Sequence, residues 1–230
     1  MVLTKLSHTL KVQDTYFCCV DNDLFSQLEK IADGLSENGY AVVDHFLSSS
    51  EVHAILQTDE FKNAKLHFKK AGIGKQHDKQ INESVRGDYI QWIDPQLAPG
   101  PMTVYFDKLK QLTQYLNQSL FLSLKDVEVH MTLYPVGTFY KRHLDQFKTD
   151  DHRKLSIICY LNDNWKQDEG GQLRMQMKDG VQDVLPSSGK LVCFRSDQIE
   201  HEVLPATRER LSLTGWIVDR DPGLDQKLFK

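Results

Sequence analysis

From Val127 onward, short runs of strand-forming residues are broken every few positions by Gly, Pro, Asn or Asp, as in a chain that keeps reversing direction. Strands this short each bury one face and need a second sheet to cover it, as a jelly roll requires. The alternation can be read locally. In Leu155-Ser156-Ile157-Ile158-Cys159-Tyr160-Leu161, Tyr160 shares a face with Ile158 and Ser156, opposite Cys159. In the run opened by Arg210, Leu211 and Leu213 fall on one face, with Arg210, Ser212, Thr214 and Trp216 on the other. Ahead of Val127 the period is helical. Leu24, Leu28, Ile31 and Leu35 repeat after Asp23, with Gly39 placed to end the helix. Ser48 and Glu51 form a capping box before Val52, Ile55 and Leu56. Met102, Tyr105, Phe106, Leu109, Leu112 and Leu116 make a third stripe behind Pro101. The pattern predicts a mainly β fold of the jelly-roll kind, with flanking helices packed outside it.

The chemistry-bearing residues lie inside the β part. His143 and Asp145 alternate at a strand end, so both can reach one ion while Leu144 turns away. His201 sits in the short run His201-Glu202-Val203-Leu204, closed by Pro205, where a sandwich can return it to the first pair. Two imidazoles and one carboxylate with open positions form the facial triad of non-haem Fe(II) oxygenases. Nine His and 22 Asp in 230 residues make about one His-x-Asp pair expected by chance, so context must carry the assignment. Arg210 supplies it. A guanidinium on the inward face of a core strand is costly without a carboxylate partner, and its planar fork suits bidentate recognition of one. That carboxylate is either an internal Asp or Glu or the end of a bound 2-oxo acid.

Together these residues resemble a known family. Thr132-Leu133-Tyr134-Pro135, Tyr140 through Asp145, Tyr160-Leu161-Asn162, Gly170 through Arg174, His201-Glu202-Val203 and Arg210 through Trp216 are similar to the prolyl hydroxylase domain of the hypoxia-sensing enzymes and their bacterial relatives. The resemblance runs from about Arg86 to Val218. It implies a double-stranded β-helix, the cupin-like jelly roll, in one oxygenase domain over 1–230, with helical support over about 1–120 and a catalytic core over about 86–218. It implies that His143, Asp145 and His201 bind Fe(II), and that Arg210 and Tyr160 hold the distal carboxylate of 2-oxoglutarate. Tyr134, Ile158, Leu173, Val203 and Thr214 are expected in the cosubstrate pocket, and Trp216 at its substrate end. The implied reaction consumes O2 and 2-oxoglutarate, releases succinate and carbon dioxide, and hydroxylates an unactivated C–H bond, with ascorbate expected to keep iron reduced. No Ser-His-Asp or Cys-His arrangement is evident, and none is needed.

Arg86-Gly87-Asp88-Tyr89-Ile90-Gln91-Trp92-Ile93 resembles the loop and strand that fold over a peptide in that family, which makes Arg86, Asp88 and Trp92 candidate lid residues over a protein substrate with a target proline. A turn in which Arg86 pairs with Asp88 and Gly87 supplies the geometry is compatible with this role. The lysine-rich stretch from Phe61 to Gln80 reads as a solvated lead into that lid. A net charge of −4 and a pI near 6.1 argue against a dedicated nucleic-acid binder. There is no apolar run of bilayer length and no hydrophobic signal segment at Met1 to Leu10. Cys18, Cys19, Cys159 and Cys193 lack metal or disulfide spacing, and a cytoplasmic monomer is expected. Among the remaining histidines, His130 shares the parity of Tyr134 and is expected in the pocket; the others read as surface or satisfied core. The same chemistry on a free amino acid, another small molecule or nucleic acid stays open. A cupin-like binding module fits less well, because such modules favour a His-x-His pair and no position of the triad or clamp is degraded.

Overall fold

The computed structural model describes residues 22–72, 81–146 and 151–220. Helix α1 (Asn22–Asn38) leads into β1 (Tyr40–Val43), and α2 (Ser49–Leu56), α3 (Asp59–Lys62) and α4 (Ala64–His67) follow. Then come β2 (Lys69–Lys70), β3 (Tyr89–Ile93), the long α5 (Gly100–Leu120) and β4 (Asp126–Tyr134). The rest is strand: β5 (Tyr140–His143), β6 (Arg153–Tyr160), β7 (Leu173–Met177), β8 (Gly180–Val184), β9 (Leu191–Arg195), β10 (His201–Val203) and β11 (Arg210–Val218). These form a seven-stranded sheet in the order β1-β9-β6-β11-β4-β3-β2 and a four-stranded sheet in the order β5-β10-β7-β8, with every strand pair antiparallel. This is the double-stranded β-helix, the cupin-like jelly roll that the resemblance implies.

The helices begin and end where the sequence places their signals. The Gly39 N–H returns to the Leu35 carbonyl at the end of α1. Ser48 and Glu51 cap α2 reciprocally, and Pro101 occupies the first turn of α5. Their apolar stripes cover one face of the large sheet. Leu28, Ile31, Met102, Leu109, Leu112 and Leu116 join Val129, Met131, Leu133, Ile157, Cys159, Cys193, Leu213 and Ile217 in one core. Alternate residues of the same strands face the small sheet. There Tyr134, Ile158, Tyr160, Val192 and Phe194 meet Leu173, Met175, Val184 and Val203 in a second core.

The structure departs from the sequence reading in three places. A strand, β1, comes out of the helical part and pairs with β9 at the edge of the large sheet. The first part of the lysine-rich stretch is folded rather than solvated: Phe61, Ala64, Phe68 and Ala71 are buried, because the lysines alternate with apolar residues that pack inward. Gly87 does not supply turn geometry. A Cβ there would lie 2.8 Å from the Thr138 Cβ, so the residue is small to permit close approach. Cys18, Cys19, His8, His77, Lys75 and Lys79 lie outside the described residues, as do residues 147–150 of the connection that follows Asp145.

Candidate active site

Strand β10 lies between β5 and β7, and its register sets His201 directly opposite His143. Asp145 lies just beyond β5 and bends back to the same point. Asp145 Oδ1 is 3.4 Å from His143 Nε2, and Oδ2 is 3.6 Å from His201 Nε2. One donor atom from each of the three side chains falls within 4.8 Å of the others. The outer nitrogens are already engaged: His143 Nδ1 faces the Lys141 carbonyl at 2.7 Å and His201 Nδ1 faces the Ile199 carbonyl at 3.1 Å. A carbonyl can only accept, so each Nδ1 carries the proton and each Nε2 lone pair points inward. Ser156 Oγ donates to Asp145 Oδ2 at 2.6 Å. Because the carboxylate takes that proton, Ser196, 2.9 Å away, donates in turn to Ser156.

The electrostatics suit a cation. Burial alone raises the Asp145 pKa, but the adjoining His201 and His143 side chains and the hydrogen bond from Ser156 outweigh it and hold the carboxyl well below the usual range. Burial lowers His201 to about 4, so it is neutral and can ligate near neutrality. Two imidazole nitrogens and a carboxylate, converging on one point, fit Fe(II) as a donor set.

In the same inter-sheet core lies a charge with no carboxylate partner among the described residues. Arg210 opens β11 at 1% exposure; its Nε donates to the Gly171 carbonyl at 3.0 Å, and its Nη2 has no partner. A Cβ at Gly171 would crowd Trp165 and Ala206, at a φ of +70°. The guanidinium rests against the rings of Tyr134 and Tyr160, its carbon 5.1 and 4.9 Å from their centroids. The Tyr160 hydroxyl is buried and also without a conventional partner, and burial pushes it up to about 12 against the pull of Arg210. Tyr134, Ile158, Tyr160, Leu173 and Val203 all belong to the inter-sheet core around this point. Thr214 shares their sheet face and meets the Ser212 hydroxyl at 3.0 Å.

The far end of the cavity is aromatic. Trp92, His130 and Trp216 stand on neighbouring strands with ring centroids 5.0 to 6.1 Å apart, and the Arg153 guanidinium lies 3.4 Å over Trp216. His130 is buried between the two indoles, on the sheet face that its parity with Tyr134 predicts. It meets the Thr132 hydroxyl at 2.9 Å, and burial, followed by the Arg86 charge, lowers it to about 3. The Trp216 Nε1–H is buried without an acceptor.

The comparisons with known proteins agree with this geometry. Residues 129–218 match the model of the 2OG-Fe(II) oxygenase superfamily. A solved prolyl-4-hydroxylase of Pseudomonas putida is 43% identical, superposes with a TM-score of 0.75, and is covered over 99% of its length by 84% of this chain. The chain belongs to the prolyl hydroxylase family of Fe(II)- and 2-oxoglutarate-dependent oxygenases. A Trichoplax adhaerens prolyl hydroxylase, solved with a peptide of the hypoxia inducible factor oxygen degradation domain, gives a TM-score of 0.76 at 26% identity, with 86% of this chain and 91% of that one aligned. Human Egl nine homolog 1 is 31% identical over 210 residues. The alignment takes in 84% of this chain and 47% of the human protein, so the chain spans about half the length of that curated relative.

Family membership places the lid candidates in context. Arg86 and Asp88 do pair, through two hydrogen bonds of 2.7 and 2.6 Å, and the Asp88 side chain is fully buried. Trp92 is separated from Trp216 by strand β4, and their ring centroids are 6.1 Å apart on the same face of the sheet. Sequence reasoning missed Ser156 as the support of Asp145, Arg153 on Trp216, and Tyr140, whose ring stacks on His143. The parity of Ser156 with Tyr160 was a usable signal; for Tyr140, strand parity points the wrong way.

Proposed function

We propose that this protein hydroxylates a prolyl residue of a protein substrate, using Fe(II), O2 and 2-oxoglutarate, with oxidative decarboxylation of the last to succinate and carbon dioxide. The observation that carries this reading is the buried, unpartnered nitrogen of Arg210 beside the buried, unpartnered hydroxyl of Tyr160, in the cavity onto which His143, Asp145 and His201 converge. A carboxylate placed there satisfies both groups and relieves an isolated buried charge. His143, Asp145 and His201 are then the residues that hold iron, and the bound metal with its 2-oxo acid supplies the oxidising power for C–H hydroxylation. Arg210 and Tyr160 fix the distal carboxylate of the cosubstrate. Tyr134, Ile158, Leu173, Val203 and Thr214 enclose its body and exclude water. Ser156 and the two backbone carbonyls hold the ligands in register without entering the chemistry.

The aromatic mouth supports a prolyl substrate. Trp92, neutral His130 and Trp216 offer flat, weakly polar surfaces against which a pyrrolidine ring packs, and the Trp216 N–H is a donor suited to a peptide carbonyl. Arg86 and Asp88 hold the segment that leads into that wall. The reading extends to a cytoplasmic monomer assisted by ascorbate, with the free, buried thiols of Cys159 and Cys193 supporting a reducing compartment. No helix among the described residues is long and apolar enough to cross a membrane.

Incubating the iron-loaded protein with 2-oxoglutarate, O2 and a proteome tests the reading. The expected result is a one-oxygen mass gain on a proline of a protein, with succinate formed in step. Oxygen incorporation confined to free amino acids or nucleobases would overturn the prolyl assignment and leave the oxygenase chemistry standing.

A further inference from the structure

The two imidazoles of the candidate metal site are held in different ways. His201 is embedded in the inter-sheet core, its side chain 5% exposed and its ring edge-on to Phe194 at 4.7 Å. His143 stands on β5, an edge strand of the small sheet, and its ring lies flat against Tyr140, with centroids 3.7 Å apart and planes within 19°. Arg86 lies over the same phenol, its guanidinium carbon 4.2 Å from the ring centroid. With the imidazole stacked on one face of that ring, the cation takes the other, which makes a three-layer stack of guanidinium, phenol and metal ligand.

The stack depends on a register break. Tyr140 and His143 are three residues apart and would alternate to opposite faces of a regular strand. Opposite β10, however, His201 pairs with His143 and Val203 with Tyr140, so three steps on β5 match two on its partner. The extra residue is a β-bulge, and it turns Tyr140 to the side of His143. Arg86 is brought in just as specifically. It bridges to Tyr140 through the backbone, with the Lys141 N–H donating to the Val85 carbonyl at 2.8 Å and the Gly87 N–H to the Phe139 carbonyl at 3.0 Å. Gly87 permits that approach, since a Cβ there would strike Thr138. Asp88, fully buried, fixes the guanidinium plane from behind through both of its oxygens.

We propose that Arg86, acting through the Tyr140 ring, is a positioning residue for the His143 metal ligand, so that docking of the Val85–Asp88 segment on β5 and metal binding reinforce each other. The inference rests on His143 being a metal ligand. Its physical basis is preorganisation: an imidazole on a strand edge swings more freely than one in a core, and the stack limits that swing while the Lys141 carbonyl sets the tautomer. Linkage makes the effect reciprocal, so whatever factor the docked segment adds to metal affinity, metal adds to docking.

Cobalt(II) titration, followed by the visible absorption that reports its ligand field, tests the inference. Tyr140→Leu removes the middle layer. The double variant Arg86→Gln/Asp88→Asn removes the outer layer without stranding a buried carboxylate. Both are expected to weaken cobalt binding by about tenfold or more and to shift its absorption bands, whereas Tyr140→Phe, which keeps the ring, binds as the original protein does. Hydrogen exchange at residues 85–88 is expected to slow when cobalt saturates the original protein, and not in Tyr140→Leu. Equal affinity and identical spectra across all the variants would overturn the inference, as would a loss in Tyr140→Phe equal to that in Tyr140→Leu. Should His143→Ala bind cobalt as tightly as the original protein, the metal site itself is misassigned and the inference falls with it.

Discussion

The two faces of the seven-stranded sheet are made from alternate residues of the same strands, and they treat polar groups in opposite ways. On the helical face, Leu109, Leu112 and Leu116 pack on Met131, Ile157 and Leu213, and the groups left there without a partner among the described residues are neutral, the Tyr105 hydroxyl and the Gln91 amide oxygen, each at the cost of an unmade hydrogen bond. On the inner face, the groups left without partners include a guanidinium nitrogen and the phenol beside it, and stranding a charge costs far more than stranding a hydroxyl. A fold can absorb the first as a packing compromise. The second fits the proposal that a ligand carboxylate completes it.

The largest effect that can break this contrast is at the candidate metal site. His201→Ala is expected to abolish both metal binding and turnover, measured by cobalt titration and succinate release; retained turnover with added Fe(II) would remove the inner face from the chemistry altogether. Next comes the helical face. Leu109→Ala should cost about 2–5 kcal/mol of unfolding free energy, because it opens a cavity in a packed core, while metal affinity of the folded protein stays unchanged. Denaturant titration beside cobalt titration separates the two readouts. Arg210→Met carries the opposite sign: removing a buried, uncompensated charge should stabilise the ligand-free protein by about 1–4 kcal/mol. A destabilisation of that size would mean that the guanidinium is satisfied within the fold.

His130 gives the most selective test, because its pH-dependent effect vanishes above pH 6.5 and is seen on the acid side alone. Its folded pKa of about 3 lies below the unfolded value of about 6.5, so between those pH values only the unfolded chain takes up the proton. Its contribution to stability is constant above pH 6.5 and falls by about 1.4 kcal/mol per pH unit as pH drops toward 3. His130→Met should remove that component from the acid side of the stability profile, and profiles that run parallel would show His130 to be solvated. The contrast between faces would then narrow at the substrate end.

Much of this could be read in the sequence because strand parity and residue chemistry agree along β6 and β11. Ser156, Ile158 and Tyr160 share the inner face as the alternation predicts, and the inward placement of Arg210 is confirmed to the residue. The helix ends were legible for the same reason, since caps are local. What escaped notice was set by contacts that alternation does not encode. The bulge in β5 reverses the parity of Tyr140 relative to His143. The size limit at Gly87 comes from Thr138, about fifty residues away, and the burial of Phe61, Ala64 and Phe68 from a core assembled by other elements. In β1, four residues read as a connection until β9 is beside them.

The central claim is that Arg210 and Tyr160 await the carboxylate of a 2-oxo acid held at the three-residue metal site. Calorimetric titration of 2-oxoglutarate into the metal-loaded protein, without O2, tests it most directly. The account predicts saturable one-to-one binding that Arg210→Met weakens by roughly 10- to 100-fold, the loss of a charge-assisted pair worth about 1.5–3 kcal/mol. Equal affinity in the two proteins would contradict it.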